Sequence, residues 1–220
     1  MSLTRTDLES KLLHNMILQS GLGLKVLSEE ELQASIDLIL RRQKLDSDIW
    51  LFAYGSLIWN PIFRFIDRRV GTVYGWHRRF CLWAPVGRGT PDNPGLVLGL
   101  ERGGSCRGIV YQIAAADVLS ELLLLWRREM VDACYVPRWV KVSDGTQQIE
   151  AIAFVINRLH PNYAQNLSLD TTVNSIASAS GQLGSCADYL IQTVNALTMA
   201  GIKDKHLLLL RDQVVGRKSL

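Results

Sequence analysis

The feature that most constrains how this chain folds is the order of its patterns. Strand-like segments dominate from Ile49 to Ile113, and helix-like segments fill the chain after Asn162. The candidate strands are Ile49 to Tyr54, Gly71 to Trp76, Arg79 to Trp83, Gly95 to Leu100 and Arg107 to Ile113, followed later by Tyr135 to Val142 and Gln148 to Ile156. Their β-branched and aromatic residues suit a pleated, half-buried surface. Asp144-Gly145 between the last two is a strong hairpin signal, and Arg102-Gly103-Gly104-Ser105 has the composition of another hairpin turn. The Gly- and Pro-dense stretch from Pro85 to Pro94 demands a loop, of a length that often serves binding. Helical spacing predicts helices over Ala114 to Met130, Asp170 to Ala179, Cys186 to Ala200 and Asp204 to Val215. Strands in runs and helices in runs indicate an α+β domain, whose several short strands can curl into a small barrel.

Ahead of the first strand lies a helical prefix. Ser28 and Glu31 fit a capping box, and Leu32, Ile36, Ile39 and Leu40 share one helical face. Arg41 and Arg42 stand near the helix end, where they complement its dipole. The expected organisation is an N-terminal helical extension over residues 1–48, packed outside a single domain over residues 49–220.

At 220 residues the chain is long enough to bury a core without staples, and its 48% hydrophobic content and 20% charge are ordinary for a soluble protein. A formal net charge of +3, spread along the chain, is too mild to indicate nucleic acid. Cys81, Cys106, Cys134 and Cys186 are far apart, which suits free, mostly buried thiols in a reducing compartment. The four histidines show no metal-ligand spacing, so no metal is expected. Arg5, Asp7, Glu9 and Lys11 stand where a signal peptide needs an apolar core, and no apolar run reaches membrane-spanning length. A cytoplasmic protein is the expectation, with oligomeric state left open.

Chemistry concentrates at two places. The run into Tyr54 stops at Gly55-Ser56, where glycine lets a ligand approach the backbone and leaves the amides of Ser56 and Leu57 free to point at an anion or oxyanion. The same residues equally make a plain turn with a hydroxyl cap. Glu129 is a lone carboxylate after Leu122 to Trp126. Facing inward, it has the apolar setting that lifts a carboxyl pKa toward neutrality, as general acid/base work requires. Facing outward, it is a solvated helix-end residue paired with Arg127 or Arg128. A Cys134–His77 nucleophile pair has no support in the spacing. Tyr54, Tyr135 and Tyr189 suit core aromatics with bonded hydroxyls. Of Arg78 and Arg79 on one strand, one faces solvent and the other can face a pocket. Gly87-Arg88-Gly89 lacks the strand–turn–helix context of a nucleotide loop.

Taken in series, several motifs resemble the ChaC family of γ-glutamylcyclotransferases, over about Trp50 to Leu210. They are Tyr54-Gly55-Ser56-Leu57-Ile58-Trp59, Gly75-Trp76-His77-Arg78-Arg79-Phe80-Cys81, Gly87-Arg88-Gly89-Thr90, Gly108-Ile109-Val110-Tyr111, Leu125-Trp126-Arg127-Arg128-Glu129-Met130 and Gly181-Gln182-Leu183-Gly184, with Tyr189-Leu190 after it. The prefix looks like that of the longer, bacterial form. The resemblance implies a small mixed β-barrel with flanking helices, and glutathione as substrate, cleaved to 5-oxoproline and cysteinylglycine with no cofactor or metal. It matches Glu129 to the catalytic carboxylate and Tyr54, Gly55, Ser56 and Leu57 to the loop that cradles the γ-glutamyl group. It matches Tyr189 to a substrate-contacting tyrosine and Arg78 to a recurrent arginine in the binding set. Ala133 and Cys186 depart from the usual glycine and asparagine, which bears on affinity rather than on Glu129.

The implied chemistry is intramolecular attack of the γ-glutamyl amine on its own γ-carbonyl, with Glu129 shuttling the proton. The rivals are a cyclotransferase for other γ-glutamyl amino acids or amines, a non-catalytic binding module of the same fold, and a cysteine hydrolase using Cys134.

Overall fold

The computed structural model of the protein describes residues 3–44 and 46–218; the chain ends of the two expected segments, residues 1 and 220, lie outside them. The described chain opens with helices α1 (Arg5–Glu9), α2 (Leu12–Gln19) and α3 (Glu29–Leu40). Ser28 caps α3 with the expected box: its hydroxyl accepts from the Glu31 amide and the Glu31 carboxylate accepts from the Ser28 amide. The barrel then begins with β1 (Ile49–Ala53), followed by a one-turn helix α4 (Ser56–Trp59) and strands β2 (Asp67–Ala84) and β3 (Gly95–Ile113). A 3₁₀ turn (Ala115–Asp117) leads into α5 (Val118–Glu129), and β4 (Tyr135–Ser143) and β5 (Gln148–Ile156) complete the sheet. The remaining elements are α6 (Leu169–Ser178), the short pair β6 (Ser180–Gly181) and β7 (Gly184–Ser185), α7 (Cys186–Met199) and α8 (Lys205–Lys218).

The strands close in the order β1-β3-β2-β4-β5. Four ladders are antiparallel, and the closing ladder between β1 and β5 is parallel, with Trp50 opposite Ala151 and Leu51 opposite Ile152. The fold is therefore the mixed barrel with flanking helices. Asp144-Gly145 makes the β4–β5 hairpin, with Ser143 paired to Gln148.

Besides the short β6–β7 pair, which was not expected, the strands differ from expectation between Gly71 and Ile113. Four separate short strands were expected between Gly71 and Ile113, with a hairpin at Arg102–Ser105; the structure has two long ones. Gly103 and Gly104 take left-handed φ of 104° and 66°, but the chain does not reverse there: Tyr74 stays opposite Ser105 and Trp76 opposite Arg102. Glycines that can turn a chain can equally bulge it. The bulge bends β3 over Gly75 of β2 while the ladder runs on, and the connection between the two strands is the Pro85–Pro94 loop.

The barrel core holds Phe52, Phe80, Tyr111 and Phe154, all at most 2% exposed. Trp126 of α5 packs edge-on to Phe154 at 5.0 Å between ring centroids, which seats α5 against the barrel.

Candidate active site

β1 ends where its backbone polar groups find side-chain partners. The Tyr54 hydroxyl donates to the Phe154 carbonyl at 2.6 Å, and the Tyr54 carbonyl accepts from the Arg78 guanidinium at 2.7 Å. The chain turns at Gly55 into α4, in which Ile58 N donates to Gly55 O and Asn60 N to Ser56 O. The amides of Ser56 and Leu57 donate to no described residue, as the first amides of a helical turn must unless a ligand or cap supplies acceptors. Gly55 is needed for close approach: a Cβ there would stand 3.1 Å from the Tyr189 hydroxyl.

Tyr189 comes from α7, and its hydroxyl accepts from the Leu98 amide at 3.4 Å. Tyr135, at the start of β4, donates to the Leu98 carbonyl at 2.7 Å. Burial pushes the phenols of Tyr54, Tyr135 and Tyr189 up, so all three are neutral hydrogen-bonding groups.

Glu129 is the last residue of α5. The helix buries Leu122, Leu125 and Trp126 on its inner face, and Glu129 continues that face to the cavity. Its side chain is 13% exposed and pairs with Arg128 Nε at 3.0 Å. Burial lifts the carboxyl above the usual carboxylate range, against the opposing pull of the Arg128 guanidinium. Arg128 is itself held in place by the Asn60 carbonyl at 2.7 Å. Of the two alternatives for Glu129 the structure has the inward-facing one, and its pair with Arg128 is buried rather than a solvated surface pair.

Tyr54, Gly55, Ser56, Leu57, Glu129 and Tyr189 thus line one cavity, together with Leu98 and Tyr135. Arg78 does not line it. Only 7% exposed, Arg78 sits behind the turn, with Nε 3.0 Å from Asp204 and its other arm on the Tyr54 carbonyl. Those bonds leave it holding the strand end rather than facing a ligand. Cys134 is also outside the cavity lining; burial pushes its thiol well up, and His77 Nδ1 is engaged with the Gly103 carbonyl at 2.9 Å. An inert thiol and a committed imidazole make no nucleophile–base pair.

The cavity opens into an outer cleft, with Ser56, Glu129, Tyr135 and Tyr189 lining both. Several residues of this cleft were not picked out as site residues from the sequence, Arg88 and Leu13 among them. Arg88, from the Pro85–Pro94 loop, stands over the rings of Trp59 (5.8 Å) and Tyr189 (5.6 Å) and reaches the Ser185 carbonyl at 3.4 Å. It is half-buried, burial draws its guanidinium pKa down, and it forms no ion pair among the described residues. Its guanidinium is engaged by the two rings and the Ser185 carbonyl, in the same cleft that Glu129 lines. The available signal was the pair of glycines flanking Arg88 in a long loop, set aside because no strand–turn–helix surrounds it.

Among the described residues, no group of three or more His, Cys, Asp or Glu side chains is arranged to hold a metal ion. None of the helices is long and apolar enough to cross a membrane, among the described residues.

The family model for ChaC-like proteins matches residues 49–217. The chain is 38% identical over 194 residues to the glutathione-specific γ-glutamylcyclotransferase of Escherichia coli K12, covering 88% of this chain and 83% of that one. It is 31% identical to the human glutathione-specific γ-glutamylcyclotransferase 1 over 173 residues, 76% of this chain and 78% of the relative. Among solved structures, the yeast γ-glutamyl cyclotransferase specific to glutathione superposes with a TM-score of 0.71 at 22% identity, covering 78% of this chain and 97% of that one. The chain belongs to the ChaC-like family.

Proposed function

We propose that this protein is a glutathione-specific γ-glutamylcyclotransferase, which converts glutathione to 5-oxoproline and cysteinylglycine. The observation that carries the reading is the juxtaposition at one cavity of a desolvated carboxyl, Glu129, with the unengaged amides of Ser56 and Leu57. The names and similarity of the relatives support the same reaction.

In this reading the γ-glutamyl group occupies the inner cavity, cradled by Tyr54, Gly55, Ser56, Leu57 and Tyr189. The substrate's α-amino nitrogen attacks its own γ-carbonyl carbon and closes a five-membered lactam. Glu129, ionised, takes a proton from that nitrogen. The amides of the turn steady the oxyanion, a contribution of about 2.7–4 kcal/mol per donor in comparable sites. As the bond to the cysteinyl nitrogen breaks, Glu129 returns the proton to that leaving nitrogen. No water is consumed and nothing is oxidised or reduced, so one carboxyl balances the proton traffic. Folding the substrate into its attacking shape is the enzyme's main task, and the shuttle contributes about 10²–10⁴-fold. Arg78 acts as a positioning residue for Tyr54.

The leaving dipeptide lies in the outer cleft, where Arg88 meets its carboxylate. This favours glutathione over γ-glutamyl amines, which carry no carboxylate there. Four buried cysteines, none of them in a disulfide among the described residues, suit a reducing cytoplasm. Comparing kcat/KM for glutathione with that for γ-glutamyl amino acids and γ-glutamyl amines tests the assignment. Glutathione leading by tenfold or more is expected, and equal turnover of the amines would overturn the specificity.

A further inference from the structure

We infer that the N-terminal helices are part of the active site, and that Leu13 forms an apolar wall against the departing dipeptide. The inference rests on the cyclotransferase reading above and gives its specificity a second determinant. Leu3 and Leu13, both half-buried, line the outer cleft on which Arg88 and Glu129 also open. They are the contribution of a segment that lies well ahead of the first barrel strand at Ile49. A half-buried leucine beside a guanidinium and a carboxyl presents its free face to whatever fills the cleft, and withdrawing that face from water favours a bound group with apolar surface.

The wall is fixed on the groups that do the chemistry. Arg5 donates to both carboxylate oxygens of Glu121, at 3.0 and 2.8 Å, and Glu121 is fully buried in α5, the helix that ends in Glu129. Lys11 shares Glu29 with Arg127, two residues before Glu129. The Leu27 amide donates to the Val131 carbonyl, two residues after it, at 2.8 Å. At the other side of the cleft, Asn60 donates its side-chain amide to the Leu3 carbonyl at 2.9 Å while its own carbonyl holds Arg128. Met16, Gln19 and Ser20, at the end of α2, face the loop that carries Arg88 across a second cavity. A left-handed Lys11, φ 58°, sets the corner between α1 and α2 that brings Leu13 round to the cleft. A segment merely packed on the outside of a domain has no need of anchors on both flanks of one carboxylate.

The division of the site says what Leu13 touches. Glu129 stands at the junction of cavity and cleft, so the scissile bond lies there, the γ-glutamyl group inside and the cysteinyl and glycyl parts outside. Leu13 lines only the outer part.

The test is 5-oxoproline release by the full chain and by Leu13→Ala and Leu13→Trp, using glutathione and γ-glutamylalanine, whose leaving group lacks both the thiol and the glycine. Both variants are expected to lose about 5–20-fold in kcat/KM on glutathione, carried by KM, and several-fold less on γ-glutamylalanine. Thermal melts establish that they are folded. If Leu13→Ala melts early, Leu13→Trp, which adds volume instead of removing it, carries the comparison. Unchanged glutathione KM in a folded variant, or equal losses on both substrates, would overturn the inference. A parent inactive on both substrates would overturn the cyclotransferase reading instead.

Discussion

Glu129 gains its chemistry from two opposed influences. Burial disfavours its charge and lifts its pKa, while Arg128 favours the charge and holds the lift in check. A carboxyl meant to accept a proton from an amine and then release it benefits from a pKa nearer the working pH than an exposed glutamate has. The base must be ionised, so activity is lost as pH falls through the Glu129 pKa. The acidic limb of the kcat/KM profile is therefore expected above the ordinary carboxylate range. Removing the guanidinium should raise that limb further: Arg128→Met is expected to displace it toward alkaline pH, and a profile unmoved or displaced toward acid would contradict the electrostatic account. Arg88 answers to a different measurement. Arg88→Gln should raise KM for glutathione by roughly 10–50-fold, with kcat affected little, because a charge-assisted pair is lost from binding. The penalty should shrink several-fold on the C-terminal amide of glutathione, which offers Arg88 no carboxylate; comparing the two substrates in parent and variant measures this.

At the scale of elements, the site depends on where three segments end. β1 delivers Tyr54 and the turn into α4, α5 delivers Glu129, and α7 brings Tyr189 against Gly55. Arg78 locks the first of these by joining β2 to the Tyr54 carbonyl and to Asp204 ahead of α8. Arg78→Met strands a buried carbonyl and a carboxylate that keeps 22% of its side chain exposed, a loss of roughly 2–3 kcal/mol, below that of a fully buried pair. For a chain of this size that is about 5–10 °C of melting temperature, and kcat should fall with it as the turn loosens. Thermal melts and assays of the variant check both. These elements differ in how legible they were. The capping box of α3, the Asp144-Gly145 hairpin and the apolar face of α5 are local patterns, and the structure carries each one. The Arg102–Ser105 stretch was not legible, because Gly103 and Gly104 permit a reversal and a bulge alike, and only the partner strand decides between them. Arg78 was picked out by resemblance, but its orientation depends on Tyr54 and Asp204, far from it in sequence.

For the molecule as a whole, the α+β class followed from the order of patterns and the barrel from the family resemblance, whereas the pairing that closes it was not legible. The parallel pairing of β1 with β5 joins residues about a hundred apart, and no local signal specifies it. The same distance in sequence hid the outer cleft. Arg88 lies in a loop, and Leu13 lies in a prefix whose own sequence carries no chemistry; each gains meaning only where the fold sets it beside Glu129. In the proposed reading the prefix forms one side of the catalytic cleft, with the γ-glutamyl group in the inner cavity and the dipeptide in the outer cleft. In the proposed reaction Glu129 moves the proton of an intramolecular cyclisation. This is tested most directly by measuring 5-oxoproline release from glutathione by the parent protein and by Glu129→Gln, with circular dichroism to establish that both are folded. The account predicts release by the parent and a loss of about 10²–10⁴-fold or more in the variant; release by a folded Glu129→Gln at near the parental rate would contradict it.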